Sequence, residues 1–161
     1  MSASQNRSQS KLSQRELLQE AEAILTGRWI TDLANISSLL MSQVADINWV
    51  GFYLVEPDDA STMWLGPFQG LPACTMIPFS KGVCGAAATG QKSMRVDDVD
   101  SFPGHIVCDS RSKSEVVIPL IRNQKVIGVL DVDSATAARF SQDDVIFFEK
   151  IANLLLNKNP N

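Results

Sequence analysis

The chain has 161 residues, enough for one domain with a sizeable core, and its 45% hydrophobic and 20% charged residues make an ordinary globular mix. A formal net charge of -4, with 14 Lys and Arg scattered among 18 Asp and Glu, argues against a nucleic-acid surface, because no basic cluster exists to neutralise phosphates. No apolar run is long enough to cross a bilayer, so no membrane partner is expected.

Residues 1–10 are rich in Ser, Gln and Asn and read as a disordered tail ahead of a domain over 11–157. They lack the apolar core of a signal peptide, so a reducing, cytoplasmic setting is expected. There, three cysteines suggest chemistry or packing rather than a disulfide framework.

Helical spacing of Leu17, Leu18, Ala21, Ile24 and Leu25 predicts a helix over 11–26, stopped by Gly27. Leu33, Ile36, Leu40 and Val44 predict a second over 31–45. The period then changes. INWVGFYLV (47–55) is β-branched and aromatic on both faces, which suits a central strand. EPDDAS reads as a turn, and 64–68 and 74–79 as short strands. GVCGAAATG (82–90) is small enough to be a short helix lying close to backbone or ligand, with a strand over 94–99 beyond it. Residues 100–113 form a long polar loop holding one cysteine, and a loop of that length is usually functional or disordered. Residues 115–121 and 125–133 are the clearest strands, joined as a hairpin through Arg122, Asn123 and Gln124. Ser141 caps a final helix with Asp143 and Asp144 in its first turn, leaving 157–161 as a short polar end. The order is two helices, three strands, a short helix, three strands and a helix. It predicts an α+β domain with helices packed on a roughly six-stranded antiparallel sheet.

Three groups of residues can carry chemistry. Cys74, flanked by Ala73 and Met76, reads as a small buried hydrophobe. Cys84 lies near a helix N-terminus, where backbone N–H groups favour a thiolate, and Cys108 lies in the polar loop among His105, Asp109, Ser110 and Arg111. Asp131 and Asp133 share one face of an apolar strand, an expensive placement unless they are paired or meet a cation; a place near solvent at the strand end is the other reading. Ile127 and Val129 are expected on that same face. Glu115 joins the acids only if the hairpin carries an odd-length loop or a bulge, because a strict two-residue turn places it opposite Val132. Trp49 and Tyr53 share a face as core or as the wall of a pocket for a thioether, with Trp64 within possible reach.

Zinc-type spacing, Cys-x-x-Cys, a phosphate loop and a dinucleotide fingerprint are all missing, so neither metal nor cofactor is expected. Cys108 and His105 are too local for the usual cysteine hydrolase pair.

NWVGFYL, WLGPFQGLPAC, GVCGAAATGQ, VDDVDSFPGHIVCDSRSKSEVVIPL and VIGVLDVDS together resemble the free methionine-R-sulfoxide reductases, a GAF-domain family, over roughly residues 48–144. Generic GAF sensor domains share the last of these segments but not the cysteines in these contexts. The resemblance implies a six-stranded GAF fold and a free amino-acid substrate. It implies Cys108 as nucleophile, Cys84 as resolving partner through a disulfide, and a less settled, exchanging role for Cys74. It further implies Glu115, Asp131 and Asp133 as substrate-binding acids, Trp49 as a pocket aromatic, thioredoxin as electron donor and, often, a homodimer. The competing reading is a non-catalytic GAF module that senses a small ligand or a redox change.

Overall fold

The computed structural model describes residues 12–104 and 110–160. The predicted tail therefore lies outside the described residues, as do His105, Cys108 and Asp109 of the long loop. Among the described residues, four α-helices and six strands follow in the expected order. They are α1 Gln14–Ile24, α2 Trp29–Gln43, β1 Trp49–Glu56, β2 Asp59–Gln69, β3 Met76–Pro78, α3 Gly82–Gly90, β4 Met94–Val96, β5 Ser114–Arg122, β6 Lys125–Ser134 and α4 Gln142–Lys158. Capping boxes start two of the helices: Ser13 with Glu16 at α1, and Ser141 with Asp144 at α4.

The strands form one antiparallel sheet in the order β3-β2-β1-β6-β5-β4. The predicted central strand is indeed flanked on both sides. One face of the sheet is covered by α1, α2 and α4 through an apolar cluster that includes Leu33, Leu40, Phe52, Leu130 and Phe148. The other face holds a smaller cluster of Trp49, Tyr53, Cys84, Val117 and Val129 beneath α3. Helix α3 sits close because of its small residues. A Cβ on Gly85 would stand 2.6 Å from the Phe79 carbonyl oxygen, so only glycine allows that approach.

The β5–β6 hairpin turns through Asn123 and Gln124, both with positive φ, as a two-residue turn requires. The register then shifts: Ile121 faces Val126, but Leu120 faces Gly128. Ile127 is the extra residue of a β-bulge, and it packs against the helix-covered cluster rather than on the Val129 face where alternation had placed it. Beyond the bulge Glu115 pairs with Asp133, which is the register the acid site demands.

Some boundaries move. β2 begins at Asp59, since Pro57 and Asp58 alone make the turn and Asp59 already pairs with Glu56. The last helix runs through Lys158, and the supposed polar end is anchored. Asn159 is only 5% exposed and donates from its amide to an Asp32 carboxylate oxygen at 3.0 Å, while its own carbonyl accepts from Arg122. Asp32 also accepts from the Thr26 and Gly27 amides, so a buried carboxylate ties the α1–α2 corner to the end of α4.

Candidate active site

Three neighbouring strands set the site by register. Asp133 on β6 stands between Trp49 on β1 and Glu115 on β5, and Asp131 stands between Gly51 and Val117. All point toward α3, because each alternates with a residue of the helix-covered core: Val50, Val116 and Val132. From above, α3 lays Cys84 on this row. Its thiol donates to Glu115 Oε1 at 3.8 Å, and one donor atom from each of Cys84, Glu115 and Asp131 lies within 4.8 Å of the others. Cys84 is 3% exposed and Glu115 and Asp131 are each 6% exposed, whereas Asp133 is half-buried at the strand end. Both readings of the aspartates thus hold, one for each residue.

Crowding acids out of water fixes their protonation. Burial, then the charges of Asp131 and Asp133, push the Glu115 carboxyl well above its ordinary range. Burial also raises Asp131, to about 6, against hydrogen bonds from Glu115 and Cys84 that favour its charged form. Both carboxyls therefore hold a proton more tightly than a free acid does, and the two titrate as a pair. Cys84 is driven up by burial and by the same acids. The expectation of a thiolate at the start of α3 is overturned here, because desolvation and three neighbouring acids outweigh the helix terminus.

Aromatic rings pack on the same face beside the acids. Trp49 stacks on Tyr53 with centroids 5.9 Å apart and on Phe68 at 5.4 Å. Gly51 makes the second stack possible, since a Cβ there would stand 2.3 Å from Phe68 Cβ and 2.8 Å from the indole edge of Trp49. The Trp49 indole N–H donates to the Leu71 carbonyl at 3.1 Å, and the Tyr53 hydroxyl donates to the Cys74 carbonyl at 3.0 Å. Burial raises the Tyr53 hydroxyl far above its usual range, so it stays a donor. Trp64, by contrast, is 47% exposed, and it alternates with Met63 and Leu65 of the α3-side cluster, so it is no part of this packing.

The cysteines depart most from expectation. Cys74 is half-buried and disulfide-bonded, not a buried apolar filler, while Cys84 is a free thiol rather than a disulfide partner. Position explains the difference: Cys74 lies in the loop between β2 and β3, whereas Cys84 is locked on α3 against the acids. The site thus brings together Cys84, Glu115, Asp131, Asp133, Trp49 and Tyr53, with Cys74 at its aromatic edge; Cys108 is outside the described residues. Two contributors escaped sequence reasoning. Phe68 was signalled only by the glycine across the strand pair. Asn48, whose amide donates to Ser112 Oγ at 3.2 Å at the loop's far end, had no local signal.

A six-stranded antiparallel sheet with a small-residue helix lying over a row of buried acids defines a GAF domain, and the GAF domain family matches residues 30–156. The free methionine-R-sulfoxide reductase of Saccharomyces cerevisiae is 43% identical over 157 residues, covering 91% of this chain and 87% of its own. That of Escherichia coli is 46% identical over 131 residues, covering 80% and 78%. The crystal structure of the Neisseria meningitidis free methionine-R-sulfoxide reductase in complex with its substrate superposes with a TM-score of 0.86 at 40% identity, covering 90% of this chain and 87% of that one. The chain belongs to the free methionine-R-sulfoxide reductases among the GAF-domain proteins.

Proposed function

We propose that the protein reduces free methionine-R-sulfoxide to methionine, with electrons from thioredoxin in the cytoplasm. The observation that carries this reading is the buried carboxyl of Glu115, whose burial and acidic neighbours favour its protonated form, set beside Asp131 on the sheet face that holds a stacked aromatic pair. Sulfoxide reduction needs that combination. The oxygen leaves only when protonated, the substrate ammonium needs an anion, and the methyl-sulfur end packs well on rings.

In the proposed cycle, the Cys108 thiolate attacks the sulfoxide sulfur while Glu115 delivers its proton to the oxygen. The oxygen transfers to the cysteine, giving a sulfenic acid and methionine. A second thiol displaces water from the sulfenic acid and closes a disulfide, which the dithiol of thioredoxin reduces by exchange. Cys74 fits the second role better than Cys84, because Cys74 is the cysteine found in a disulfide and Cys84 stays a buried thiol among acids. Asp131 and Asp133 bind the ammonium. A peptide-bound methionine sulfoxide has no such ammonium, which accounts for preference for the free amino acid.

A thioredoxin-coupled assay with separate R and S free sulfoxides tests the proposal. The R isomer is consumed, the S isomer is not, and Cys108→Ser is inactive. Cys74→Ser retains one stoichiometric reduction and loses recycling. Equal consumption of both isomers, or full turnover by Cys108→Ser, overturns the reading. A pure sensor would bind the sulfoxide without losing thiols.

A further inference from the structure

We propose that Cys84, Glu115 and Asp131 also form a capture site for a thiophilic divalent cation of the zinc or cadmium type, which blocks the pocket when it binds. Metal capture rests on the geometry of these three residues alone; only the block of turnover rests on the function proposed above.

The three donor atoms come from three different elements, α3, β5 and β6, and lie within 4.8 Å of one another. The Cys84 sulfur is 3.8 Å from Glu115 Oε1, where the ligand edges of a tetrahedral zinc site with one sulfur and two oxygens are about 3.3–3.5 Å long. Closing the set on a cation therefore takes side-chain shifts of roughly 1 Å. A second observation points the same way. Asp131 Oδ1 is shut off from solvent in a residue 6% exposed, and the hydrogen bonds that Glu115 and Cys84 give this carboxylate leave that one oxygen without a partner. Native structures rarely strand a buried carboxylate oxygen, and a cation is the partner that such an oxygen lacks.

The donor set selects the class of ion. One thiolate with two carboxylates suits Zn2+ or Cd2+, whereas Mg2+ and Ca2+ call for six or more oxygens. Binding breaks the Cys84 S–H bond and the Glu115 O–H bond, forms sulfur–metal and oxygen–metal bonds and releases both protons to solvent; nothing is oxidised or reduced. Three protein donors leave one coordination position for water, in the space the substrate ammonium would otherwise fill.

The test uses the form in which Cys74 is disulfide-bonded and Cys84 is the free thiol. Titration with Cd2+ is followed by the ultraviolet thiolate-to-cadmium band. The band is expected to saturate at one ion per chain and to disappear in Cys84→Ser. Glu115→Gln and Asp131→Asn, shown folded by circular dichroism, should weaken binding at least about tenfold. A wild-type protein without the band, or a band that survives in Cys84→Ser, overturns the site, and neither readout depends on turnover. Zn2+ should then inhibit the reduced enzyme competitively with the sulfoxide. Stoichiometric binding without inhibition overturns the block, and leaves the reductase reading to its own assay.

Discussion

The two faces of the sheet are built from the same strands by opposite rules. Toward α1, α2 and α4 the middles of β1, β5 and β6 present only apolar side chains: Val50, Phe52, Val116, Ile118, Leu130 and Val132. Toward α3 the same strands place Trp49, Tyr53, Glu115, Asp131 and Asp133, with Gly51 left bare. The first face supplies stability through burial, so it can hold the second in a state that burial alone would disfavour. Acids and a thiol sealed under α3 are a local expense borne by the core on the other side.

This contrast can be broken at either face. The largest effect is expected for Phe148→Ala in the helix-covered core, a loss of about 3–5 kcal/mol in urea unfolding. If it proves mild, that face is not the main source of stability. Asp131→Asn should act in the opposite sense. Its carboxyl is raised from 3.8 to about 6 by burial, so the folded state binds the proton more tightly than the unfolded chain. The protonated form's stability is therefore complete below about pH 4 and is lost as pH rises through 6, a penalty of roughly 3 kcal/mol. Asp131→Asn removes that penalty. It should be more stable than the wild type at pH 8, nearly equal at pH 4, and should raise KM for the sulfoxide by about tenfold or more through the lost ammonium contact. Unfolding curves at the two pH values decide it; equal stability at pH 8 would mean that the acid sits comfortably. Next comes Asn159→Ala, which leaves Asp32 short of a donor and should cost about 1–3 kcal/mol without changing KM for the sulfoxide. Smallest is Ser141→Ala, which removes the α4 cap and should cost about 1 kcal/mol with turnover intact.

Much of this contrast can be read from the amino acids. Period and turn chemistry give the element order, because 3.6- and 2-residue repeats are local signals. The bulge at Ile127 follows indirectly: Glu115 can join Asp133 only if one residue is skipped, and one is. What stays hidden depends on contacts distant in sequence. The protonation of Cys84 is decided by acids on β5 and β6, some 30 residues further along or more, not by its own helix. Cys74 looks apolar beside Ala73 and Met76, and nothing nearby marks it for a disulfide. Asn159 looks like a solvated end until Asp32, 127 residues away, claims it.

The skipped residue at Ile127 lies six positions from Asp133, or about 20 Å along an extended strand. Chain length near the hairpin tip therefore acts as a parity switch on distant chemistry. Adding or removing a single residue there would be an ordinary event at most surface loops, yet here it would rotate an entire strand's worth of side chains half a turn. Drift in this lineage should then accept swaps of residue type at Asn123 and Gln124 far more readily than changes in their number.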